Sequence, residues 1–366
     1  MIFVFIKVII YFELLCREVF LLTENKLYEI LEVLTDCFGT SGYETEAAVA
    51  SQNILSEYMN TRTDNMGNVI GVLNEEGKIK VLLDAHLDRI GFVIRGIDEK
   101  GFLLVDKVGG LDERVLTGAE VIVCGKEKIT GVVCSTPPHL LSEEDEKKGV
   151  DISKLAIDIG YTKEEAESVA SIGDRAIVKS EFTRLLGTRV SAGALDNRCG
   201  VLSLILAAEK LKNKLKNVSV TVLLSSQEET YGSGAKCGAY TSEADYAIAV
   251  DVGFGSDCYT EKSLTVDLGK GPSIGIAPVL DRALTLKLKE IAEKEGIPYQ
   301  HDVMSRTTGT NADHICITKG GIKTALLSIP LKYMHTPVEV IDLKDVEYTA
   351  ELIEKFVLTL EDEANA

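Results

Sequence analysis

The sequence predicts an α/β protein with a mostly parallel sheet, interrupted by a small β-rich, barrel-like unit. Three observations predict it. Residues 23–90 and 186–366 alternate strand-like and helix-like runs, the texture of a sheet covered by helices on both faces. Residues 91–185 instead carry closely spaced short apolar runs broken by turns, which is the texture of a compact β unit. Five times, an acid or a histidine stands at the tip of a β-like run, where open α/β sheets bind their ligands.

The elements follow in order. Leucine and isoleucine at helical spacing from Leu22 to Cys37 predict a first helix, with Thr23 as its cap. The string FGTSGYETEAA supplies a glycine turn and then an acidic helix start. Residues 65–73 and 79–83 read as short strands joined in hairpin fashion by NEEGK. Within 91–185 the strands are GFVIRGI, GFLLVDKV, AEVIVCG, KITGVVCS and AIVKSEF, with turns at 98–101 and 109–111. The stretch 137–170 is polar and acidic and reads as loop plus a short helix. Beyond Gly200, VLSLILAAEKLKNKL is a helix, VSVTVLLSS and YAIAV are strands, and LTLKLKEIAEKEG is a helix. TALLSI is a further strand, and residues 343–360 form a last amphipathic helix.

Composition narrows the function. The chain has 57 acidic against 39 basic residues, a net charge of −18, which disfavours a nucleic-acid partner. The eight cysteines form no CxxC pair, and Cys124, Cys134 and Cys316 sit in apolar runs. That pattern predicts reduced core thiols in a cytoplasmic protein. Residues 1–22 are apolar but interrupted by Lys7, Glu13, Arg17 and Glu18. They read as an extension of no designed role, in preference to a packed extra helix or strand, or a membrane or export segment. With five histidines in all, a metal site must draw on carboxylates.

The residues that carry chemistry are those at the strand tips. His86 and Asp88 end KIKVLLDAHLD and project to one side of an extended segment, so Asp88 can orient the imidazole. Alone, His86 is more often a hydrogen-bonded core histidine. Asp196 lies in SAGALDNRCG, before a helix, where the bland reading is an N-cap. Glu228 and Glu229 follow VTVLLSSQ; one can bind a metal while its neighbour acts as a base, or both are a solvated turn. Asp251 ends YAIAV, ahead of a Val-Gly-Phe-Gly turn. His335 follows TALLSIPLKYM on a loop.

Taken together, AHLDRIGF, ALDNRCG, SSQEETYGSGA, AIAVDVG, LGKGP and YMHTP make a chain that resembles the M42 metallo-aminopeptidases, which form tetrahedral dodecamers. The resemblance covers residues 25 to 360. It implies a zinc exopeptidase-like catalytic domain (23–90 and 186–366) and a β insertion (91–185) that serves dimerisation. It implies two divalent ions, of zinc, cobalt or manganese. His86 and Asp251 would hold one, Glu229 and His335 the other, with Asp196 between them. Glu228 falls on the family's general base, Asp88 on the residue supporting the first histidine. A cis peptide between Asp196 and Asn197 is also implied. The substrates would be short peptides, shortened from their N-terminus. Arg89 and Asn311 depart from the usual pattern and put the substrate pocket in question. Arg306 and Lys332 are basic residues placed near it. Two other readings stay open: a metal-dependent amidase acting on N-acyl amino acids or blocked peptides, and a non-catalytic shell-forming relative. A glycosidase needs no bridging metals.

Overall fold

The computed structural model describes residues 25–140 and 151–365. The extension read from residues 1–22 lies outside the described residues.

Residues 25–36 form helix α1 and Thr45–Leu55 helix α2, followed by β1 (Asn60–Thr63), β2 (Val69–Leu73) and β3 (Ile79–His86). The chain then leaves the sheet for β4 (Gly91–Ile97), β5 (Leu103–Val108), β6 (Glu120–Cys124), β7 (Lys128–Cys134), β8 (Ala156–Asp158), helix α3 (Lys163–Val169) and β9 (Arg175–Val178). It returns through β10 (Thr183–Arg184), β11 (Arg189–Ala192) and helix α4 (Leu195–Leu211) to β12 (Val218–Ser225). Helix α5 (Ser233–Ser242), β13 (Tyr246–Phe254), β14 (Ser273–Ile276), helix α6 (Arg282–Glu295) and β15 (Gln300–Val303) follow. Helix α7 (Ala312–Ile315), β16 (Lys323–Leu331), β17 (Glu339–Asp342) and helix α8 (Leu343–Asn365) complete the chain.

The main sheet runs β1-β2-β12-β3-β13-β16-β14-β15. Its centre, β12-β3-β13-β16, is parallel. These four strands are near-continuous apolar runs because helices cover both of their faces. Helix α4 is buried along almost its whole length and packs against α8 and β3. Helix α8 turns Leu343, Val346, Ala350, Ile353, Val357 and Leu360 to the same core, a spacing of three and four residues. Helix α6 starts where the Asp281 carboxylate accepts the Leu284 N–H at 2.8 Å.

Strands β4-β5-β8-β7-β6-β9 close into a barrel. Alternate residues such as Phe92 and Ile94, Leu103 and Val105, and Val121 and Val123 fill it. Its core shares no residue with the cores on either face of the main sheet.

The structure corrects several sequence expectations. Strands β2 and β3 are not a hairpin; β12 lies between them, antiparallel to β2 and parallel to β3. The eight-residue parallel pairing of β3 with β12 outweighs a local turn signal. Strand β1 was not anticipated, and neither was β8, a three-residue strand inside the stretch read as loop. Strand β13 continues to Phe254, so Asp251 lies within the strand rather than at its tip. Cys124, Cys134 and Cys316 are only half-buried; among the described residues it is Cys199 that is buried, and all seven described cysteines are free.

Because the barrel core is separate, damage to it should stay local. Phe92→Ala removes a fully buried ring and should cost about 3–5 kcal/mol. Hydrogen exchange should show protection lost across residues 91–178 and kept in the main sheet.

Candidate metal centre and active site

The parallel register sets the site. Ser225 pairs with His86, and the Asp84–Ala249 pairing carried two residues on puts His86 level with Asp251. Asp251 pairs in turn with Ser328. The loops beyond β12 and β16 bring Glu228, Glu229 and His335, and the start of α4 brings Asp196.

Two groups of three result. His86, Asp196 and Asp251 form one, and Asp196, Glu229 and His335 the other. Nε2 of His86 lies 3.2 Å from Oδ1 of Asp196 and 3.7 Å from Oδ1 of Asp251. Nε2 of His335 lies 3.5 Å from Oδ2 of Asp196 and 3.3 Å from Oε2 of Glu229. Asp196 therefore turns one oxygen to each group. The Asp196–Asn197 peptide is cis, as expected.

Both imidazoles are oriented from behind. Nδ1 of His86 lies 3.1 Å from the Asp88 carbonyl, and Nδ1 of His335 lies 3.0 Å from the Gly110 carbonyl. A carbonyl only accepts, so each Nδ1 carries the proton and each Nε2 faces its carboxylates. Asp88 is fully buried and does more than face His86. Its carboxylate accepts the Glu228 N–H at 2.9 Å, the Glu229 N–H at 3.0 Å and the Ser41 hydroxyl.

The site is crowded with like charge. Burial, then Asp251, Glu229 and Asp196, push Glu228 up to about 9, against the pull of His86. Burial pushes Glu229 up to about 7, although His335 opposes it. Asp251 is raised by the same desolvation. Burial would lower His335, but Asp196 and Glu229 hold it up at about 11. His86 is likewise held well above its ordinary range, burial being outweighed by Glu228, Asp196 and Asp251. Asp196 is pulled below its ordinary value by the two histidines, despite burial. Without cations such a cluster retains protons that divalent ions would displace.

The donors fit divalent metal. They are imidazole nitrogens and carboxylates with no thiolate, and Oδ1 of Asp196 is buried with no hydrogen-bond partner. Glu228 belongs to neither group, and its Oε2 lies 3.7 Å from Nε2 of His86. All of them except Asp88 line a cavity of about 990 Å³.

Three residues escaped the sequence reading. Glu339 is buried and accepts the Asp196 N–H at 3.1 Å and the His335 N–H at 2.9 Å, so one carboxylate fixes a residue of each group. The one available signal was an acid between two valines in a short strand. Gly110 comes from the β5–β6 connection, and a Cβ there would lie 2.7 Å from Nδ1 of His335. Ser41 bonds Asp88 from the loop before α2. The residues that raised doubt about the pocket lie elsewhere. Arg89 is buried, with Glu339 and Glu229 its nearest opposing charges. Asn311 is buried against Asp84 and Ser225. Neither Arg306 nor Lys332 lines the cavity.

A carboxylate–imidazole centre at the strand ends of a mixed sheet, with a barrel inserted beside it, is the arrangement of α/β metallo-exopeptidases. The chain belongs to the M42 glutamyl aminopeptidase family, whose sequence pattern matches residues 67–352. It is a peptide-bond hydrolase of the aminopeptidase type. It is 32% identical over 334 residues to a lysyl aminopeptidase of Pyrococcus furiosus, covering 89% of this chain and 95% of that one. Its fold matches aminopeptidase APDkam598 from the archaeon Desulfurococcus kamchatkensis with a TM-score of 0.85 and 33% identity, over 93% of this chain and 95% of that one. It also matches the TET1 peptidase of Pyrococcus horikoshii, which can assemble into a tetrahedron or a large octahedral shell. There the TM-score is 0.80 and the identity 36%, over 90% and 99% of the two chains.

Gly110→Ala should displace the His335 imidazole while leaving the fold intact. Divalent-ion affinity, measured by competition with a chelator, should fall on the order of 10–100-fold, as loss of an outer partner does.

Proposed function

We propose that the chain is a dinuclear aminopeptidase that removes N-terminal residues from short peptides. His86 and Asp251 would hold one divalent ion and Glu229 and His335 the other, with Asp196 bridging. The observation that carries this reading is the Asp196 carboxylate, whose oxygens are divided between two histidine-centred groups. Imidazole and carboxylate donors suit zinc, cobalt or manganese. Two such ions supply Lewis acidity and a nucleophilic water at neutral pH.

The chain's own residues do the rest. Glu228 is the carboxylate left outside both groups, within the cavity, and acts as the base. It takes a proton from the attacking water as the oxygen bonds to the peptide carbon. It returns that proton to the amine nitrogen as the C–N bond breaks. Asp88 keeps His86 in the tautomer that presents Nε2 and fixes the backbone of both glutamates.

The barrel is read as the dimerisation domain, 91–185, beside a catalytic unit of 23–90 and 186–366. The assembly of the TET1 peptidase into a tetrahedron or a large octahedral shell supports self-association, which we read as dimers built into a dodecamer. Free thiols support a cytoplasmic setting. Among the described residues no helix is long and apolar enough to cross a membrane.

Free-amine and N-acetylated aminoacyl anilides, assayed with EDTA and metal add-back, test the reading. Cleavage should require a free amine, vanish with EDTA and return with metal. Glu228→Gln should lower kcat about 10²–10⁴-fold with metal content unchanged. Equal cleavage of the blocked substrate would make the chain an amidase. No cleavage after full metal loading would make it a non-catalytic relative.

A further inference from the structure

One carboxylate in the cavity takes no part in the centre. Asp302 lies on β15 and lines the same cavity as Glu228 and Asp251. Sheet register places it. Asp302 pairs with Gly275, and the Ile274–Leu327 pairing carried one residue on puts Gly275 opposite Leu326. Leu326 pairs with Ala249, and Ala249 with Asp84. Paired residues share a face, so Asp302 stands on the face that carries His86, Asp251 and Ser328, one row away. Three strand steps separate it from Asp251, about 14 Å at ~4.8 Å per strand.

Its surroundings do not explain a charge. Among the described residues, the Asp302 carboxylate has no hydrogen-bond or ion-pair partner, and no lysine or arginine lines the cavity. Burial alone shifts its carboxyl, upward. The nearby wall is apolar, from Leu264, Val303, Met304 and Leu326. An unpartnered carboxylate at the far end of an apolar wall complements a long side chain with an apolar stem and a cationic tip. On the aminopeptidase reading the centre holds the substrate's N-terminal end, and the first side chain is left to the remainder of this one cavity, which this wall bounds.

We propose that Asp302 is a specificity residue that selects peptides beginning with a basic residue by pairing with its side-chain cation. This rests on the aminopeptidase reading. Side chains that are short leave Asp302 unpaired, and acidic ones are repelled by it.

The metal-loaded full chain should be assayed on lysyl, arginyl, leucyl and glutamyl p-nitroanilides. The readout is the lysyl-to-leucyl ratio of kcat/KM within one preparation, which cancels differences in folded or metal-loaded fraction. Wild type should favour lysyl. Asp302→Asn should lower the ratio about 10–100-fold, the worth of a hydrogen bond to a charged group, mostly through KM. Asp302→Glu should keep the preference, and Asp302→Lys should turn it toward glutamyl. Leucyl turnover without a lysyl preference in wild type, or an unchanged ratio in Asp302→Asn, overturns this inference and leaves the aminopeptidase standing. Absence of turnover on every free-amine substrate overturns both.

Discussion

Like-charge crowding is the constraint on which the rest of this structure depends. Asp196, Glu228, Glu229 and Asp251 converge on two imidazoles at the ends of the central strands. Two like charges 4 Å apart repel by about 4 kcal/mol at the effective dielectric of a protein surface. Side chains alone could swing apart to relieve that. The backbone that carries them cannot, because its N–H groups are anchored on two further buried carboxylates. Asp88 binds the backbone of both glutamates, and Glu339 binds that of Asp196 and His335. The supports are therefore acidic as well, which deepens the need for cations. Arg89 and Arg198 are buried counter-charges among the described residues, Arg89 toward Glu339 and Glu229 and Arg198 toward Asp88 and Glu44. What they leave unbalanced lies in the two groups that open onto the cavity.

That constraint also explains where the barrel sits. His335 reaches the site from the loop after β16, but the carbonyl that sets its tautomer belongs to Gly110, between β5 and β6. Gly109, with φ +78°, lets that connection turn against Glu229, and Gly110 leaves room for the imidazole ring. The insertion is thus part of the second group's geometry. A shift of the barrel against the sheet would move the acceptor behind His335, so the position of the barrel and the order of the centre are physically linked.

What was legible in the sequence follows from these physics. Strands β3, β12, β13 and β16 could be read because two-sided burial leaves an uninterrupted apolar run. The polar residues at or near their ends stood out against it, which is why His86, Glu228, Glu229, Asp251 and His335 could be picked singly and assembled by resemblance. Strand order could not be read, since β12 enters between β2 and β3 from more than 130 residues away and a turn signal is local. Glu339 and Gly110 stayed hidden for a related reason. They act through hydrogen bonds that span 143 and 225 residues, and neither has a spacing that betrays it. Strand β8 was missed because three residues carry too little alternation to see.

The row beneath the site accounts for the amide at Asn311. Asp84 precedes His86 by two residues on the same face and is fully buried, its carboxyl pushed up to about 7 by desolvation. Asn311 donates from Nδ2 to Asp84 Oδ2 at 2.9 Å and to Ser225 Oγ at 2.9 Å. An aspartate at 311 would set a second carboxylate against Asp84 with no cation between them, and one of the two would have to hold a proton. The amide instead supplies Asp84 with a donor beside Ser225 and adds no charge. Asn311 is therefore coupled to Asp84 rather than to substrate, and the polar residue at each position makes sense only with the other.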